Sequence, residues 1–164
     1  MRRQLAAFAC TIWLCLTATA HGTDRLIPLD VAGLRAELSA LEGRVVLINF
    51  WATWCRPCLE EIPTLMQLQT KLQDNGFSLV AVSLDDAASV ETRVKPFMNK
   101  QFPGFTSYLS IERDMDSMTS VIDPAWNGIL PTSYLLARDG SVAERLQGIY
   151  SAEEFSEKIL ALSK

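Results

Sequence analysis

The chain has 164 residues, 49% hydrophobic and 21% charged, with a formal net charge of −4 at pH 7. That size and balance describe one globular domain with a real core and exclude a disordered chain. The acidic excess excludes a nucleic-acid binder of the usual kind, which needs stripes of Lys and Arg, and otherwise bears only on solubility.

Arg2 and Arg3 precede an apolar run from Leu5 to Leu16, and Ala18-Thr19-Ala20 supplies an A-x-A pattern before His21. This predicts a signal peptide over 1–20 and a single domain over 21–164. A permanent anchor is the weaker reading, because about 15 apolar or small residues fall short of the roughly 20 that span a bilayer. Bulky Leu14 before Cys15, and the short apolar run before Cys10, do not suit lipid attachment. The surroundings of the arginine pair fit general secretion better than a twin-arginine signal. Without residues 1–20 the chain keeps thirteen Lys and Arg against nineteen Asp and Glu, a net charge of −6, and only Cys55 and Cys58 of its four cysteines.

Asp30 caps a predicted helix in which Leu34, Leu38 and Leu41 recur at helical spacing and which Gly43 stops. The continuous apolar run Val45 to Phe50, with Asn49 inside it, reads as a buried central strand. Residues 56–74 follow as a helix carrying Leu59, Ile62, Leu65, Met66, Leu68 and Leu72, which puts Cys55 at the join of strand and helix. Phe77 to Leu84 is a second strand, and 89–102 a helix with Val90, Val94, Phe97 and Met98 on one side. The alternation predicts an α/β domain. From Pro103 to Asp123 no pattern is assignable, although Met115, Met118 and Ile122 fall on one side of a helix. Thr132 to Ala137 and Ser141 to Gln147 then form a hairpin around Asp139-Gly140 and end the sheet. Ser151 with Glu154 makes a capping box for a last helix bearing Phe155, Ile159 and Leu162.

The chemistry lies in NFWATWCRPCLEEIP, Asn49 to Pro63. In an exported chain paired cysteines ordinarily brace the fold, but a bridge closing so short a loop removes little entropy from the unfolded state. Zinc wants four N or S ligands, and Cys55, Cys58 and His21 fall short. A Cys–His catalytic pair lacks a histidine within the folded body. A redox dithiol needs one exposed, acidic thiol that attacks and a second that resolves the mixed disulfide. The helix N-terminus and Arg56 favour a thiolate at Cys55, the expected nucleophile. Cys58, one turn inside the helix between Pro57 and Leu59, is the expected resolving thiol.

The segment Asn49 to Leu65, NFWATWCRPCLEEIPTL, resembles the active-site segment of the thioredoxin superfamily, in particular the TlpA/ResA-like bacterial thiol-disulfide oxidoreductases. Leu130-Pro131-Thr132 is similar to that family's cis-proline segment, Asp139-Gly140 to its usual turn, and Pro63 to the proline that kinks its active-site helix. The resemblance implies a thioredoxin-like fold, a central mixed β-sheet flanked by helices; no cofactor and no metal are expected. It implies that Pro131 sets its loop beside the disulfide and leaves the Leu130 backbone free to pair with an extended substrate. Thioredoxins usually carry a buried aspartate where this chain has Asn49; the resemblance offers Glu61, three residues after Cys58, as the proton-handling group instead. The plain alternative for Glu61 is a solvated helix carboxylate beside Glu60. Trp54 is expected at the substrate surface, Trp51 in the core, and Trp126 and Gly128 at the rim.

The function so implied is that of a reductant of client protein disulfides, in cytochrome c maturation or metal-site assembly; the signal-like N-terminus places it in the periplasm or another extracytoplasmic compartment, and a monomer is expected by default, for want of any obvious extra apolar surface. A membrane thiol carrier of the DsbD/CcdA kind would supply its electrons. Two alternatives stand beside it: an oxidant that donates its disulfide, and a module holding Cu(I) between the two thiolates. The P-x-x-x-T-x-x-C pattern of peroxiredoxins fails at Ala52.

Overall fold

Val45–Trp51 is apolar at every position but Asn49, and it forms strand β2 with all seven residues buried. A computed structural model describes residues 25–164; the expected signal peptide over 1–20, with Cys10 and Cys15, and His21 beyond it lie outside the described residues. Around β2 stands a six-stranded sheet with β1 (Leu26–Leu29), β3 (Phe77–Ser83), β4 (Ser107–Ser110), β5 (Thr132–Leu136) and β6 (Val142–Gln147), in the order β1-β4-β3-β2-β5-β6. The pairs β1·β4, β4·β3 and β3·β2 are parallel, and β2·β5 and β5·β6 antiparallel. This mixed sheet flanked by helices is the thioredoxin-like fold expected.

The helices are α1 (Val31–Ala40), α2 (Arg56–Leu72), α3 (Lys95–Gln101), α4 (Met115–Thr119) and α5 (Ala152–Leu162). Alternation along β2 separates the core into two layers. Val46, Ile48 and Phe50 pack with Leu34 of α1 and Met118 of α4. Val45 and Leu47 face Leu65 and Leu68 of α2 and Phe155 of α5, while Trp51 joins Cys58 and Ile62 of α2 and Met98 of α3. Asn49 therefore points to the α2 side. Each fully buried aliphatic or aromatic side chain in these layers contributes about 1.5–3 kcal/mol.

The expected caps are present: Asp30 accepts the Gly33 N–H, and Ser151 and Glu154 form the reciprocal capping box. The structure departs from the pattern reading at the far edge of the sheet. There β1 and β4 are strands of only four residues each, and the helix over 89–102 opens with a π-helical turn at Val90–Val94 before α3. Met115 does not share Met118's burial: α4 is so short that Met115 stays 38% exposed. Among the described residues no helix is long and apolar enough to cross a membrane.

Candidate active site

At the end of β2 the chain turns through Ala52-Thr53-Trp54, and this turn is tied to the end of β3. Asp85 accepts from Thr53 N at 2.9 Å and Thr53 Oγ1 at 2.6 Å, and is itself held by Ser83 Oγ at 2.8 Å. Asp85 is 4% exposed, and nothing in its sequence neighbourhood distinguishes it from an ordinary strand-ending acid. The turn delivers Cys55 as the N-cap of α2, where its Sγ accepts the Cys58 N–H at 3.3 Å and the two cysteines form a disulfide.

Cys55 is 6% exposed and Cys58 1%, so the expected order of accessibility holds but the outer sulfur is far from open. Cys55 belongs to one buried cluster with Trp51, Ala52 and Ile62. The open surface beside it is Trp54, 59% exposed, whereas Trp51 is fully buried with its Nε1 donating to Ser107 Oγ at 2.9 Å. Arg56 does not lean on Cys55; its side chain is 91% exposed and its Nε donates to Glu60 Oε1 at 3.2 Å.

Beneath the disulfide lies a buried polar cluster. Glu61, one turn beyond Cys58, is 1% exposed, unlike its exposed neighbour Glu60. Its Oε2 accepts from Asn49 Nδ2 at 3.0 Å and its Oε1 from Tyr150 N at 3.2 Å. Asn49 Nδ2 also donates to Ser133 Oγ at 2.9 Å, while Asn49 Oδ1 is buried with no hydrogen-bond partner among the described residues. Burial pushes the Glu61 carboxyl up to about 7, against the smaller opposing effects of the Tyr150 N–H and the Asn49 amide. Ser133 and the Tyr150 N–H are invisible in the sequence, because only the fold brings β5 and the segment before α5 to α2.

The fourth side is the segment 123–131. The Leu130–Pro131 peptide bond is cis, and Leu130 packs against the cluster that contains both cysteines. Pro131 O accepts from Gly148 N at 3.0 Å, and Ile129 O accepts from Thr132 Oγ1 at 2.7 Å and Trp126 Nε1 at 3.3 Å. A clasp to the hairpin holds the segment. Arg145 donates to Asp123 Oδ2 at 3.1 Å and Asn127 Oδ1 at 2.8 Å, and Gln147 Nε2 also donates to Asn127 Oδ1, at 2.8 Å. Gly128 makes the turn at φ +77, a conformation that side chains resist.

A disulfide that caps a helix, set between an exposed tryptophan and a cis-proline segment and above a buried carboxyl, defines a thiol-disulfide oxidoreductase of the thioredoxin fold. The family model described as "AhpC/TSA family" matches residues 23–145. A thiol-disulfide oxidoreductase ResA of Bacillus cereus is 36% identical over 125 residues, which cover 76% of this chain and 67% of that protein. The thioredoxin-like protein YneN of Bacillus subtilis (strain 168) is 30% identical over 132 residues, 79% of this chain and 71% of that one. Among solved structures, a candidate thiol:disulfide interchange protein DsbE from Chlorobium tepidum superposes with a TM-score of 0.64 at 30% identity, covering 77% of this chain and 85% of the other. The chain belongs to the AhpC/TSA family and, within it, to the ResA-like thiol-disulfide oxidoreductases.

Proposed function

We propose that this chain is an exported, extracytoplasmic reductant of client protein disulfides, cytochrome c precursors and proteins awaiting a metal being the clients in view. The Cys55 thiolate attacks one sulfur of the client disulfide, forming a mixed disulfide and releasing the other client sulfur as a thiolate. Cys58 gives its proton to the Glu61 carboxylate and attacks Cys55 Sγ, which frees the second client sulfur. The client gains two electrons and the Cys55–Cys58 disulfide remains. A membrane-embedded thiol carrier of the DsbD/CcdA kind resets it, because an oxidising compartment does not. The protein works as a monomer.

The observation that carries this reading is the vertical order Cys55, Cys58, Glu61: a nucleophile at the rim capping α2, its resolving partner 1% exposed behind it, and a buried carboxyl one turn deeper. Leu130, packed against the same cluster, supports a backbone edge for an extended client, and Trp54 an apolar landing surface. Pro57, immediately before Cys58, resembles the dipeptide pattern of reducing thioredoxins and favours reduction over oxidation.

The test is a reduction potential, found by equilibrating the protein in glutathione or dithiothreitol buffers and counting trapped thiols by mass. A value near thioredoxin's ~−270 mV is expected; one near DsbA's ~−120 mV reverses the direction of electron flow. In parallel, Cys58→Ser accumulates the client mixed disulfide on Cys55 and Cys55→Ser does not.

A further inference from the structure

Asn49 is the only amide side chain of β2, it is 1% exposed, and its hydrogen bonds are unbalanced. Both amide hydrogens are used, toward Glu61 Oε2 and Ser133 Oγ, while Oδ1 is stranded in the core. Turning the amide by half a revolution exchanges the two atoms. Oδ1 then faces Glu61 and Ser133, and Nδ2 takes the stranded place. The turned amide strands two N–H donors in place of one carbonyl oxygen, a cost that only a change at Glu61 outweighs. The choice falls to Glu61. A carboxylate Oε2 repels Oδ1 and needs Nδ2–H; a protonated Oε2–H needs an acceptor, which Oδ1 provides once the amide has turned. The proton sits on Oε2 because Oε1 already accepts the Tyr150 N–H. The Ser133 hydroxyl serves both states, accepting from Nδ2 in one and donating to Oδ1 in the other.

We propose that Asn49 is a positioning residue whose amide turns over with the proton on Glu61, presenting Nδ2 to the carboxylate and Oδ1 to the carboxylic acid. The proposal rests on Glu61 being the proton-handling group. When Cys58 S–H breaks and Glu61 Oε2–H forms, the buried acid keeps a partner before and after the transfer. Burial that holds the carboxyl at about 7 makes both states accessible near neutrality.

The ionisable groups on the surrounding elements leave that response to Glu61 and the cysteines. Besides Cys58, α2 carries Glu60, paired with Arg56; the Tyr150 phenol packs on Phe155. On α5, Glu154 turns back to Ser151, and Lys158 pairs with Glu144 of β6. Arg145 of β6 is engaged by Asp123, which also accepts from the Tyr134 hydroxyl of β5.

The test is NMR on the labelled, oxidised protein, where no thiol titrates, from about pH 5 to about pH 9, following Glu61 Cδ and the Asn49 side-chain amide together. Cross-peaks from the Asn49 amide hydrogens to Ser133 Hβ are expected above the Glu61 titration and lost below it. If they persist while Glu61 titrates, the amide does not turn and the proposal is overturned, with Glu61 untouched as proton carrier. If Glu61 Cδ shows no titration in that range, both fall. A second measurement separates positioning from packing: in Asn49→Leu, client exchange is expected to drop about tenfold near neutrality and less on either side. A uniform drop at every pH assigns Asn49 to packing alone and overturns the proposal.

Discussion

Glu61 makes a charge that folding opposes, and the sign of its effect follows from its titration. An unfolded glutamate ionises near its ordinary value of 4.5, whereas in the fold it holds its proton up to about 7. Between those values the folded state binds more protons than the unfolded, so stability falls as pH rises and the full penalty is present above the folded pKa. For a shift of that size the penalty is about 3 kcal/mol. Denaturant titrations of the oxidised protein should therefore show stability dropping from pH 4.5 to 7, and Glu61→Gln should flatten that drop. The landing surface proposed at Trp54 gives a different signature: Trp54→Ala, which removes an indole 59% exposed, is expected to raise KM for a protein disulfide about tenfold without moving the Cys55 thiol pKa, read by alkylation against pH. At this scale the sequence disclosed what lies on one short segment. Cys55 and Cys58, at the N-cap and in the first turn of α2, were picked out by their spacing, while Glu61 was offered only by the resemblance of the segment, beside the plain alternative of a solvated carboxylate. The sequence did not disclose that Asn49 meets Ser133 or that Glu61 loses its water, because those facts depend on partners 84 and 89 positions away.

Elements explain why the loop at residue 131 stays in place. Nine residues from Asp123 to Pro131 contain no regular structure, yet Asp123 and Asn127 are both gripped by Arg145 on β6, and Ile129 O takes two donors. Arg145→Ala removes both grips. The expected result is a several-fold higher KM for a protein disulfide with the reduction potential unchanged, measured by steady-state kinetics alongside thiol trapping; a shifted potential instead would tie the clasp to the dithiol itself. The clasp was hidden in the sequence because Trp126-Asn127-Gly128 reads as a plain turn and Arg145 as one more strand residue. β1 and β4 were hidden for another reason. Each has four residues, too few to establish a period, and they pair mainly with each other in parallel, with no tight turn to announce them. The hairpin β5–β6, with its Asp139-Gly140 turn, and helix α5, with its capping box, carried local signals strong enough to be placed correctly.

At the scale of the molecule, the central strand is completed late. β2 pairs on one side with β3, which follows after a single helix, and on the other with β5, whose Ser133 lies 84 residues beyond Asn49. A chain emerging from its N-terminus can assemble β1, α1, β2, α2, β3 and β4 while VVLINFW still offers a row of unpaired backbone groups along one edge. An apolar, uncharged edge of that length is a template for another chain. Truncation after Ser110 should consequently give aggregates rather than a soluble partial fold, as size-exclusion chromatography and thioflavin fluorescence would register; a soluble monomer would contradict this. The interval between making β2 and making β5 is thus the vulnerable period in the life of the polypeptide, when it most needs a holding chaperone.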